Sequence, residues 1–193
     1  MSSYLRYGFI ENLDTVRRIP IGRFWGVGLL VTPLTWLSPF VFFGLHFLLN
    51  LLNLQLGLAE RLQQSLAFAL VVQLATAAHA FGHILSGKLA GGAMDELLIT
   101  ATRDVNIYHG DQGRVPGRVH LARALGGPLF NLLLAAACAP LAPLAAPGFG
   151  QALAASMVST NLFFGLGGLL PLPSIDGAVI WRELLRLARP ARR

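Results

Sequence analysis

LQQSLAFALVVQLATAAHAFGHIL, residues 62–85, carries no formally charged side chain and ends in two histidines four positions apart. As a helix rising about 1.5 Å per residue it is about 36 Å long, enough to cross a hydrocarbon core of about 30 Å. A stretch this apolar predicts a membrane span, and its last turns bring two imidazoles into that span.

The rest of the chain agrees. Of 193 residues, 54% are hydrophobic and only 12% charged, and the mean hydropathy is +0.61, too apolar for an ordinary soluble domain. Further apolar runs over residues 36–56, 124–144 and 149–170 bring the expected number of spans to about four. The expected fold class is an all-α polytopic membrane protein, a single domain over 1–193. The early arginines, without an apolar stretch among them, argue against a cleaved signal peptide and for an uncleaved first span.

The formal net charge of +6 is distributed rather than clustered. Arg6, Arg17, Arg18 and Arg23 precede the first span; Lys88, Arg103, Arg114, Arg118 and Arg123 fall between the second and third; Arg182, Arg186, Arg189, Arg192 and Arg193 follow the fourth. The other connections hold Arg61 alone. By the positive-inside rule, both termini and the long middle loop face the cytoplasm of a multi-pass cell-membrane protein. The bilayer is therefore the first partner, with anionic lipid contact secondary. A nucleic-acid partner is not expected, since no basic stripe is interleaved with exposed aromatics. Cys138, the single cysteine, lies in the third span and permits no intrachain disulfide.

Residues 19–35, rich in Gly, Pro and β-branched residues, read as an extended segment at the membrane surface, with Trp25 and Trp36 at headgroup depth. His46, in the first span, reads as a polar residue facing the bundle. The middle loop, about 91–118, contains LLITATR and VNIYHG and predicts a small β element, with His109 and His120 as surface histidines. Residues 178–189 read as an amphipathic surface helix.

Four polar residues share one depth. His79 and His83 lie near the cytoplasmic end of the second span, Asn131 near that end of the third, and Asp176 just beyond the fourth. Polar and charged groups at membrane depth are costly and face a site or one another. Histidines at i and i+4 project from one helix face and can hold one metal ion. Two His and one Asp suit Zn²⁺ with a fourth position left open, the catalytic kind of site. The same spacing also occurs around haem and in metal transport, and those readings remain beside it. The pair has the spacing of the H-E-x-x-H peptidase motif, whose Glu takes a proton from the metal-bound water. Here that position is Ala80.

With these residues assembled, the chain resembles the site-2 protease family of intramembrane zinc metalloproteases. HAFGH (79–83) matches its HExxH except at Ala80, LGGPLFN (125–131) its G-P-x-x-N element, and LPLPSIDG (170–177) its P-x-D-G element. The resemblance implies zinc ligation by His79, His83 and Asp176. It implies that Asn131 helps hold the substrate backbone or the developing oxyanion, and that strands after the second span pair with an unwound substrate. It also implies transmembrane protein substrates such as anti-sigma factors or membrane-tethered regulators, cut near the cytoplasmic leaflet. Ala80 departs from the pattern and implies a catalytically disabled chain. Both an edited active enzyme and a natural pseudoprotease that binds transmembrane segments without cleaving them satisfy it.

Overall fold

The computed structural model describes residues 11–188; Arg6, Arg189, Arg192 and Arg193 of the topology reading lie outside them. The chain is mostly helical, with one small sheet, and its long second helix is the axis on which the rest is assembled.

Strands β1 (Ile19–Phe24) and β2 (Val27–Val31) form an antiparallel hairpin. Its two-residue turn has positive φ at both positions, 48° at Trp25 and 85° at Gly26, the geometry that matches the twist of a tight hairpin. Strands β3 (Glu96–Ile99) and β4 (Asp104–Ile107) form a second antiparallel hairpin. Parallel pairing of β2 with β3, Leu30 opposite Leu98, joins the two into one sheet of order β1-β2-β3-β4. The extended segment and the loop element expected separately are thus halves of one structure. Period-2 patterning marks each strand but not its distant partner.

Helix α1 (Ser38–Asn50) occupies only part of the expected 36–56 span. The leucines beyond it are apolar enough to continue, but Asn53 ends the helix. Its side chain accepts from the Gln55 N–H at 3.1 Å and its carbonyl accepts from Leu56, so the chain turns. Helix α2 (Leu58–Leu89) contains the 62–85 run and exceeds it at both ends. Helix α3 (Gly117–Cys138) begins before the expected 124–144 span, with Pro128 inside it rather than at its start, and Pro140 and Pro143 follow its end. Helix α4 (Phe149–Gly168) fits the 149–170 run. Of these, α2 and α3 are long and apolar enough to cross a membrane by themselves. Helix α1 is short, and α4 is interrupted by Gln151, Ser156, Ser159, Thr160 and Asn161.

Helix α2 packs against α1, α3 and α4. Its approach to α3 is backbone to backbone. A Cβ on Gly82 would overlap the Gly126 carbonyl and come within 2.7 Å of the Phe130 Cβ, and one on Gly126 would overlap Ser86. Small residues at a crossing allow such contact, and dispersion between the two backbones then supplies the attraction that lipid cannot. Helix α5 (Asp176–Leu187) is amphipathic and docks on α3. Its buried face is Gly177, Ile180 and Glu183. The Glu183 carboxylate, 1% exposed, pairs with Arg182 at 2.8 Å and Arg186 at 3.4 Å.

Candidate metal centre

Three helices deliver the centre. His79 and His83 sit one turn apart on α2, their rings 4.7 Å apart and nearly perpendicular. Asp176 opens α5, placed there because the tail of α4 ends at Gly168 and residues 171–173, Pro-Leu-Pro, cannot prolong it. The Asp176 Oδ2 atom lies 3.0 Å from His79 Nε2 and 3.3 Å from His83 Nε2. One ligand atom from each residue falls within 4.8 Å of the others. Helix α3 passes immediately beneath at Gly127, where a Cβ would overlap both imidazoles.

The hydrogen bonds behind the rings fix their tautomers. Asn131, fully buried, donates from Nδ2 to the Ala75 carbonyl at 3.0 Å and to Asn161 Oδ1 at 2.7 Å. Its Oδ1 must therefore accept, and it accepts from His79 Nδ1 at 2.5 Å. His83 Nδ1 donates to the Arg123 carbonyl at 2.7 Å. With both Nδ1 atoms protonated, each Nε2 offers a lone pair, and both lone pairs face a carboxylate oxygen. Three acceptors turned on one another repel unless a cation or additional protons stand among them. Burial alone would push the Asp176 carboxyl up; when the positive charge is a second proton on each imidazole, the hydrogen bonds and charge those rings then supply more than reverse this and hold it at about 2. The donor set, two oriented imidazoles and one ionised carboxylate, fits a zinc ion, and the partners behind the rings are those that metal-bound histidines require.

The sequence-derived candidates are thus distributed as follows. His79, His83 and Asp176 come together, and Asn131 touches His79. Both amide hydrogens of Asn131 are engaged, with the Ala75 carbonyl and Asn161 Oδ1, and its Oδ1 faces His79 Nδ1. Ala80, 4% exposed, packs in an apolar cluster with Val27, Ile84, Met94 and Leu97 beneath the sheet. His46 bonds Ser65 and Asn50 and stacks on Phe68, away from the centre. His109 pairs with Glu96, and His120 bonds the Gln112 carbonyl.

Two contributors escaped the sequence reading. Asn161 is a lone buried amide inside an apolar helix, the same signal that singled out Asn131. Arg123 reads from the sequence only as a topological charge.

No protein-family model and no curated protein sequence matches this chain. Among solved structures it is similar to the site-2 protease from Methanocaldococcus jannaschii, with a TM-score of 0.60 over 91% of this chain and 74% of that one, at 16% identity. At that identity the likeness is one of fold: this chain shares the overall architecture of that protein.

Proposed function

We propose that this chain is an intramembrane zinc metalloprotease of the site-2 protease type, cleaving transmembrane segments of other membrane proteins near the cytoplasmic leaflet, and that Ala80 disables it. The observation that carries this reading is the convergence of three lone-pair donors, with tautomers set from behind, inside a fold shared with a site-2 protease. Helices α1 and α4 complete four membrane passages. At about 20 Å, α1 is shorter than the bilayer core, which local thinning accommodates. Both termini and the sheet lie on the cytoplasmic side, where Lys88 closes α2.

His79, His83 and Asp176 would hold the zinc. When bound, zinc polarises a carbonyl and lowers the pKa of a coordinated water toward 7. The protein's own contribution is positional. Asn131 and the Arg123 carbonyl hold the proton of each neutral imidazole on Nδ1, so that Nε2 is the nitrogen turned to the metal position, and α3, at Gly127, leaves room for the ligands and nothing larger. No carboxylate at position 80 takes up the proton of the attacking water, and losing a general base costs about 10² to 10⁴ in rate. Unwound substrates would add to an edge of the sheet, either β1 or β4.

A second reading is supported by the packing of Ala80. The methyl group sits in a buried apolar cluster, as expected of a natural pseudoprotease that captures transmembrane segments without cutting them. Ala80→Glu, co-expressed with single-span membrane proteins such as anti-sigma factors or tethered regulators, separates the two. Cleavage by the Glu form alone supports the disabled protease. Binding that persists without cleavage in either form supports the pseudoprotease.

A further inference from the structure

The carbonyl that orients His83 belongs to a residue whose side chain is equally committed. Arg123, on α3, is 7% exposed. Its guanidinium donates from Nε to the Gly92 carbonyl and from Nη1 to Gln112 Oε1 at 2.9 Å, and lies 4.2 Å from the centroid of the Tyr108 ring. Gly92 lies in the turn leaving α2, Tyr108 just after β4, and Gln112 in the single 3-10 turn before α3. One side chain therefore gathers three points of the cytoplasmic loop, while the backbone of the same residue holds a candidate metal ligand. Gly92 is part of the fit: a Cβ there would stand 2.7 Å from Arg123 Nη2. Tyr108 packs in turn against the cluster around Ala80. Burial pushes its phenol up to about 12 even beside the guanidinium, so the ring stays neutral beneath the cation.

We infer that Arg123 is a positioning residue that ties the loop carrying β3 and β4 to His83, so that the geometry of the metal centre depends on that loop being docked. This rests on the metal reading proposed above. Lysine cannot reproduce the arrangement, because a single ammonium lacks the planar fork that reaches Gly92 and Gln112 while stacking on Tyr108.

Cobalt(II), whose visible bands report tetrahedral coordination, is the probe, with the full detergent-purified chain titrated beside Arg123→Ala, Arg123→Lys, Gln112→Ala and Tyr108→Leu. Trypsin cleavage at the exposed Arg114 reports loop docking. Expected are a roughly 10- to 100-fold loss of cobalt affinity in Arg123→Ala and an intermediate loss in Arg123→Lys. Gln112→Ala and Tyr108→Leu, which touch no ligand, should each shift the affinity in the same direction as trypsin cleavage quickens. Should Arg123→Ala fail to fold, those two variants carry the test. Faster cleavage with unchanged cobalt affinity overturns the inference. Absence of cobalt binding in the parent chain overturns the metal reading, and this inference with it.

Discussion

Gly127→Ala adds one methyl group at the most constrained point of the centre. The new Cβ would lie 2.5 Å from His83 Nε2 and 2.6 Å from His79 Cδ2, where non-bonded heavy atoms settle at about 3.5 Å or more. The obstruction is helix backbone on one side and two ligand rings on the other, so the rings or the α2–α3 crossing must yield by about 1 Å. Zinc–nitrogen distances tolerate about 0.2 Å. Metal affinity should therefore fall by ~100-fold or more, the upper end of what disturbing a ligand's support costs. Gly167→Ala is the control, since nothing lies within 4 Å of its Cβ position. Zinc affinity by chelator competition and thermal unfolding in detergent, measured on both variants, separate site damage from general destabilisation. A Gly127→Ala protein that binds zinc as tightly as the parent would show that α3 does not pass beneath the ligands as described.

Further outcomes follow from other contacts. Asn131→Ala leaves His79 Nδ1 and Asn161 Oδ1 without the partner each has here and removes the side-chain donor to the Ala75 carbonyl, and should cost about 1–3 kcal/mol by denaturation and about 10- to 100-fold in zinc affinity. Burial raises the Asp104 carboxyl to about 7, against the lowering effect of His83, so the folded chain holds a proton there that the unfolded chain releases near pH 4. Stability from this group is complete below about pH 4 and declines as pH rises through about 7, so Asp104→Asn should raise the melting temperature at pH 8 and leave it nearly unchanged at pH 4. Burial raises Glu183, but Arg182 and Arg186 outweigh it and hold the carboxyl low. Its contribution is present above the ordinary carboxylate range and lost as pH falls below it. Glu183→Ala should accordingly loosen α5, seen as faster amide exchange over 176–187 at pH 7, with the difference from the parent shrinking in acid.

Much of this was legible in the residues themselves. His79 and His83 announce a shared helix face through their spacing, and Asp176 and Asn131 announce a common depth once the apolar runs are aligned. The strands were readable singly, but the parallel β2–β3 pairing that makes one sheet of them spans more than sixty intervening residues, about 31 to 96, and no local pattern encodes it. Helix ends were the weakest part. Leucine runs do not reveal the Asn53 turn that shortens α1, and Pro128 reads as a helix start although α3 accommodates it in mid-course. The bonding of Asn131 was also out of reach, because its amide hydrogens go to two other helices, to the Ala75 carbonyl on α2 and to Asn161 on α4.

The most direct test of the metal centre is elemental analysis of the detergent-purified chain beside His79→Ala. One zinc per chain in the parent, lost in the variant, is the expected result. A parent without zinc, or zinc that persists at full stoichiometry after His79 is replaced, would contradict a site built from His79, His83 and Asp176.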